Sequence, residues 1–182
     1  GRRVWLVGAS AGIGAALARA LAGRGARLAL SARSADKLQA LDIEGALLLP
    51  CDASAVASLA ETRQILLEKW GGVDVVIYLA GDYVPMRAQT FDLARAEQVI
   101  SVNFNGAMYL AATVLSVLNP GGGIAFVASV AGYRGLPKSV CYGPGKAALI
   151  HFAECLHLDL ADQGIGIWLI NPGFVQTRLT AE

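Results

Sequence analysis

Residues 4–16 run Val4-Trp5-Leu6-Val7-Gly8-Ala9-Ser10-Ala11-Gly12-Ile13-Gly14-Ala15-Ala16. The first four are apolar, a run short enough for a strand buried on both faces. Gly8, Gly12 and Gly14 then follow at G-x-x-x-G-x-G spacing, and residues 15–24 are rich in Ala and Leu, as a helix prefers. Glycine permits the tight turn and lets a ligand approach the backbone closely. A helix that opens directly after such a turn offers unpaired N–H groups and the positive end of its dipole, which suits a phosphate. A glycine-rich turn alone is a weak sign. A strand before it and a helix after it supply the context that a dinucleotide-binding turn needs.

Outward from this unit the same alternation continues. Strands are expected at residues 4–7, 27–31, 46–49, 74–79, 124–129 and 165–170. Helices are expected at 15–24, 36–41, from the candidate N-cap Ser54 to residue 70, at 92–118 and at 142–162. Near-continuous apolar strands separated by helices specify a parallel sheet covered on both faces. The expected fold is therefore α/β, a doubly wound parallel sheet of the Rossmann type in three α/β/α layers. No repeat, low-complexity tract or linker divides residues 1–182, so one dinucleotide-binding domain is expected. The helix from Tyr142 has apolar residues on more than one side, including Leu149, Phe152, Leu156 and Leu158. One side can pack on the sheet and another needs a partner, so a homodimer or homotetramer is expected.

Composition narrows the function. The chain is 55% hydrophobic and 16% charged, which excludes intrinsic disorder. Fifteen basic against fourteen acidic residues leave a charge of +1, so nothing attracts nucleic acid or an anionic membrane. No charged residue lies between Glu97 and Arg134, but Asn103, Asn105, Asn119, Pro120 and three glycines interrupt that stretch. The clean apolar run, 107–118, is shorter than the ~18 residues of a membrane span and suits a helix buried in protein. Gly1-Arg2-Arg3 leads straight into a strand and leaves no room for a signal peptide. Cys51, Cys141 and Cys155 are odd in number and far apart, as expected of small buried thiols in a reducing, cytoplasmic compartment. His151 and His157 are expected to be structural, with no metal site.

Tyr142 and Lys146 stand four apart, on one face of the expected helix. A free phenol with a pKa near ~10 is a poor base at neutral pH. A neighbouring ammonium favours the phenolate and makes the pair a usable general acid and base. Ser129, at the carboxyl end of the fifth strand, can hydrogen-bond the reacting oxygen, because ligands of such sheets sit at strand ends.

These segments together resemble the short-chain dehydrogenase/reductase family. The glycine turn is similar to its T-G-x-x-x-G-x-G loop, with Val7 where Thr is commonest. Tyr142-Gly143-Pro144-Gly145-Lys146 matches Y-x-x-x-K, and Ser129 precedes Tyr142 at the family's usual interval. Val102-Asn103-Phe104-Asn105-Gly106 matches the helix segment carrying the family's Asn, and Pro172-Gly173-Phe174-Val175-Gln176-Thr177 matches P-G-x-V-x-T. The resemblance spans essentially the whole chain, with five motifs in order. It implies that Tyr142 gives or takes the substrate proton and that Lys146 also holds the nicotinamide ribose. Ser129 then positions the substrate carbonyl, and Asn103 orders a water that relays protons to Lys146. Cofactor contacts carried over are Gly8, Ser10, Gly12, Ile13, Gly14, Arg33, Asp52, Ala80, Gly81, Tyr142, Lys146, Pro172, Gly173, Val175 and Thr177, with Asp52 at the adenine ring. Ala32 stands where an acid would grip the adenosine ribose. Arg33 follows it and suits a 2′-phosphate, so NADP (NADPH) is expected over NAD.

The chain departs from the family at three places. Tyr78-Leu79-Ala80-Gly81 stands for N-N-A-G, which removes the Asn side chains that brace that turn. Pro144 and Gly145 inside Y-x-x-x-K are unusual, though Pro is tolerated in a first helical turn. The sequence stops soon after P-G-x-V-x-T, where relatives continue with a substrate-covering segment and an edge strand, so an incomplete carboxyl end is expected. Tyr83, Tyr133, Arg134, Leu136 and Pro137 are candidates for the pocket wall or for ordinary loop. The expected activity is an NADP-dependent oxidoreductase interconverting a small-molecule carbonyl and a secondary alcohol. The alternatives are an epimerase or dehydratase of the family's extended branch, whose larger substrate domain has no counterpart here, and a non-catalytic nucleotide-binding sensor.

Overall fold

The structure, a computed structural model, describes residues 1–176. Six strands form one parallel sheet: β1 (Arg3–Val7), β2 (Arg27–Ser31), β3 (Leu47–Leu48), β4 (Val73–Tyr78), β5 (Leu118–Val127) and β6 (Gly166–Ile170). Their spatial order is β3-β2-β1-β4-β5-β6, so the chain winds outward from β1 in both directions. The crevice of such a sheet lies beside β1, where the order reverses. Between the strands run α1 (Gly12–Ala22), α2 (Ala35–Gln39), α3 (Val56–Trp70), α4 (Leu93–Ile100), α5 (Gly106–Val114) and α6 (Tyr142–Leu160).

The alternation of side chains along each strand explains why the strands are apolar throughout. Trp5, Val7, Val76, Tyr78, Ile124 and Phe126 join residues of α3, α5 and α6 in one core. Val4, Leu6, Leu28, Leu30, Ile77 and Val127 join Ala15, Ala18 and Leu38 of α1 and α2 in the other. The sheet is thus the middle of three layers. The indole N–H of fully buried Trp5 donates to Ser31 Oγ at 2.9 Å, which satisfies both polar groups inside the core.

Several expectations are corrected. Ser54 does not cap α3, whose N-cap is Ala55 without a side-chain bond. Ser54 instead gives its N–H and its hydroxyl to Asp52 Oδ1, at 2.9 and 2.6 Å, closing a local turn. β5 begins at Leu118, well before residue 124, because Asn119 Nδ2 anchors to Asp74 Oδ1 at 2.6 Å beside an irregularity in the β4–β5 register. The helix expected at 92–118 is interrupted: a π-turn, Ser101–Asn105, joins α4 to α5, and a 3-10 turn, Leu115–Val117, ends it. By length and composition Leu93–Val117 could cross a membrane, but Ala107, Leu110, Ala111 and Val114 pack into the core beside the sheet. Cys51 and Cys141 are buried as expected, whereas Cys155 is exposed. The histidines are surface groups of α6. His151 Nδ1 lies 3.7 Å from Glu154 Oε2, with both side chains largely accessible. No cluster among the described residues could hold a metal ion.

Candidate active site

A cleft of about 550 Å³ opens at the carboxyl end of the sheet. Its floor is the turn after β1, with Gly8, Ser10, Gly12, Ile13 and Gly14. Gly8 has φ +99°, and a Cβ there would strike the Ala80 backbone; a Cβ on Gly14 would strike the Gly8 carbonyl. A side chain at Gly8 would force this turn away from the turn after β4, and one at Gly14 would break the turn's own close packing onto α1, which is why both positions are glycine. Arg33 enters from the end of β2, Asp52 from beyond β3, and Ala80 and Gly81 from the turn after β4. The first nine expected cofactor contacts therefore line one cleft. Ser34, Lys37 and Tyr83 line it too. Lys37 was not singled out from the sequence; the signal available was a second basic residue one helical turn past Arg33.

The cleft's electrostatics follow from a few groups. Both hydrogen bonds from Ser54 hold the Asp52 carboxyl below the usual carboxylate range, and the Arg33 charge adds to this. Arg33 and Lys37 are exposed cations beside the glycine turn. The dipole of α1 points the same way. The turn presents the start of α1, which no side chain caps, flanked by two cations. That fits a dinucleotide phosphate.

α6 starts at Tyr142 itself, with Pro144 in its first turn where no N–H is needed. Tyr142 and Lys146 therefore do share a face, and Lys146 Nζ lies 5.7 Å from the Tyr142 ring centroid. Lys146 is almost fully buried and donates to the Val127 carbonyl at 3.1 Å. Burial pulls its pKa down to about 8. The Tyr142 phenol behaves differently from the sequence expectation. Burial raises its pKa above the ordinary value, a hydrogen bond with the Ser129 side chain pulls it down, and nearby Tyr83 pushes it up. Without a bound cofactor, desolvation outweighs any help from the ammonium. Tyr83 meets Tyr142 edge to face, with ring centroids 5.2 Å apart.

Asn103 sits in the π-turn, fully buried. Its Nδ2 donates to the Asp82 carbonyl at 2.6 Å and to the Val99 carbonyl at 2.9 Å, while its Oδ1 has no partner. A Cβ built on Gly81 would lie 3.2 Å from that Oδ1 and 3.6 Å from Lys146 Nζ, so both atoms face the same small space. Ser129 Oγ accepts from the Ala131 N–H at 3.1 Å, which fixes the hydroxyl at the end of β5. The Val130 N–H donates to the Pro172 carbonyl at 3.1 Å and brings Pro172 and Gly173 beside Ser129. Asn171 Nδ2 donates to the Tyr133 hydroxyl at 2.5 Å. The cleft lining reaches Tyr83, Val102 and Val127 but not Asn103, Ser129, Tyr142, Lys146, Pro172 or Gly173 themselves, and exposed Tyr133, Arg134, Leu136 and Pro137 also lie outside it. Val175 lies in the exposed stretch after β6, and Thr177 lies outside the described residues.

Known proteins resemble this chain in sequence and fold. The short chain dehydrogenase family profile matches residues 2–182. An uncharacterized oxidoreductase of Myxococcus xanthus (strain DK1622) is 36% identical over 99% of this chain and 74% of its own. One of Staphylococcus aureus (strain N315) is 30% identical over 97% of this chain and 79% of its own. Among solved structures, a short-chain dehydrogenase/reductase from Brucella melitensis, described as a glucose/ribitol dehydrogenase, superposes with TM-score 0.94 at 29% identity, over 99% of this chain and 75% of the other. One from Mycobacterium marinum gives 0.93 at 26% identity, over 100% and 76%. The chain thus spans about three quarters of each of these relatives. The doubly wound parallel sheet and the profile match over residues 2–182 agree: this chain is a member of the short-chain dehydrogenase/reductase family, oxidoreductases that use a nicotinamide dinucleotide.

Proposed function

We propose that this enzyme interconverts a small-molecule carbonyl and a secondary alcohol, with NADP(H) preferred and Tyr142 as the general acid and base. The observation that carries the reading is the Tyr142 phenol near the Ser129 side chain, backed by Lys146 Nζ 5.7 Å from its ring centroid. Gly8, Ser10, Gly12, Ile13 and Gly14 would hold the pyrophosphate, with Asp52 toward the adenine. Ala80, Gly81, Pro172, Gly173, Val175 and Thr177 would line the rest of the dinucleotide, and Lys146 its nicotinamide ribose. When bound, the nicotinamide supplies or accepts the hydride at the substrate carbon.

The protein's own residues handle the oxygen. In the reducing direction Ser129 donates a hydrogen bond to the carbonyl oxygen, and the Tyr142 O–H gives that oxygen its proton as negative charge develops. A phenol held protonated by burial is suited to this acid role at neutral pH. In the oxidising direction the phenolate takes the alcohol proton. The proton on Tyr142 is exchanged through Lys146, whose lowered pKa brings its proton exchange closer to neutral pH. Asn103 Oδ1 is a buried acceptor without a partner, which supports a water between it and Lys146.

The NADP preference rests on Arg33 and Lys37 in the cleft and on Ala32 where a carboxylate would repel a 2′-phosphate. The test is oxidation of NADPH with a carbonyl panel. Tyr142→Phe should cut turnover by at least ~100-fold, with the dissociation constant for NADPH nearly unchanged by fluorescence titration. An active variant would refute the acid/base role. NADPH binding without turnover on any carbonyl would leave a nucleotide-binding protein instead.

A further inference from the structure

We propose that Tyr78 is the positioning residue for Asn103: its hydroxyl sets the π-turn that aims Asn103 Oδ1 at Lys146. The proposal rests on the reading of Asn103 given above.

Tyr78 is the last residue of β4 and is fully buried. It stands where N-N-A-G would carry its first Asn, so the usual amide is missing from this strand end. The phenol reaches past the place an amide could reach. Its hydroxyl donates to the Val102 carbonyl at 2.6 Å, inside the π-turn and directly before Asn103. The helix makes room for it: a Cβ on Gly106 would collide with the Tyr78 hydroxyl and with the Ala53 carbonyl. Gly106 opens α5 immediately after the turn.

The consequence is a bond between the sheet and the helix at the residue that matters. A π-turn shifts the backbone pairing by one residue, and it needs a cause. Here the Tyr78 hydroxyl holds the Val102 carbonyl from one side. From the other, Asn103 Nδ2 spans the Asp82 and Val99 carbonyls. With both amide hydrogens used, Oδ1 is left facing Gly81 and Lys146 Nζ. Burial holds the Tyr78 phenol protonated well above its ordinary range, so it remains a donor at any working pH.

Tyr78→Phe keeps the ring in the core and removes only this hydrogen bond. The first arm is hydrogen exchange of the cofactor-free protein. We expect protection of the amides at 102–107 to fall by about tenfold, with β1 and α6 unchanged, since a lost buried bond opens the structure locally. A uniform loss of protection would mean that Tyr78 is core filling only, and would overturn the proposal. The second arm is kinetic. We expect kcat to drop about tenfold with KM within about twofold, and the alkaline limb of the pH–rate profile to move. In the Asn103→Ala background, Tyr78→Phe should cost nothing more, because the two act through one group. Additive losses would overturn the coupling. If Asn103→Ala alone leaves kcat and the pH profile intact, the relay reading of Asn103 fails and the functional half of the proposal with it. The exchange arm still decides separately whether Tyr78 sets the turn.

Discussion

In the proposed reading Arg33 and Lys37 carry the choice between the two nicotinamide dinucleotides, each with different chemistry. Arg33 offers a planar fork that can hold a phosphate by two bonds, while Lys37 is a point charge on a flexible stem. Both are exposed, so each is screened until the cofactor covers it. Arg33→Ala should raise KM for NADPH by about tenfold or more and leave that for NADH within about twofold. Lys37→Ala should act in the same direction and more weakly. Steady-state kinetics with both cofactors checks this, and an unchanged NADPH/NADH ratio in Arg33→Ala would end the assignment. Arg33 was legible because it directly follows a strand whose end was easy to place. Lys37 was not, because its position depends on where the five-residue α2 begins. The Tyr142 phenol shows a different limit. Spacing put Lys146 beside it correctly, but spacing says nothing about desolvation, and burial reversed the expected direction of the pKa shift.

At the level of elements, α6 brings its two chemical groups into register and also buries an ammonium. Lys146 falls from an ordinary 10.5 to about 8 through desolvation. Below pH 8 the ammonium is present in both folded and unfolded chains, and the folded state carries the cost of burying it. Between pH 8 and 10 the unfolded chain holds a proton that the folded one has released, so stability from this group rises with pH. Cys141, Tyr78 and Tyr142, raised by burial, work the other way in the alkaline range, so the comparison must be between proteins. The difference in unfolding free energy between wild type and Lys146→Met should grow in favour of wild type by about 2 kcal/mol from pH 8 to 10. Urea unfolding at several pH values measures it. A constant difference would mean that Lys146 does not titrate in this window. The start of α6 was readable because Pro144 fits only a first helical turn. The break between α4 and α5 was not, since a π-turn leaves no periodic trace in five residues and depends on Tyr78 arriving from another strand.

For the whole molecule, the doubly wound parallel sheet followed from the alternation of apolar strands and helices, while the strand order itself came from the structure. What that alternation cannot give is the surface left over. Among the described residues, α6 exposes Leu158, β6 beside it exposes Trp168 and Ile170, and Phe174 follows just beyond. A depression lined by Ala153, Glu154, His157, Leu158, Ile167 and Leu169 lies between the two elements. Apolar side chains exposed together on a helix face invite cover from another surface. Covering it returns ~25 cal/mol for each Å² of apolar surface removed from water. The sequence expectation of a homo-oligomer began from the many-sided apolar pattern of α6, and Leu158, 76% exposed, is the residue of that helix that still lacks cover. Self-association through the Leu158 side of α6 is the expected outcome, with light scattering across a hundredfold concentration range giving a mass above the monomer's. Leu158→Glu should shift the mass toward monomer, because a carboxylate buried opposite an apolar surface must be desolvated without a partner. The substitution lies on an exposed side chain, so unfolding should change by less than about 0.5 kcal/mol. A monomer mass independent of concentration for the wild-type chain would show that this face does not pair with itself, and the many-sided pattern of α6 would then need a different occupant.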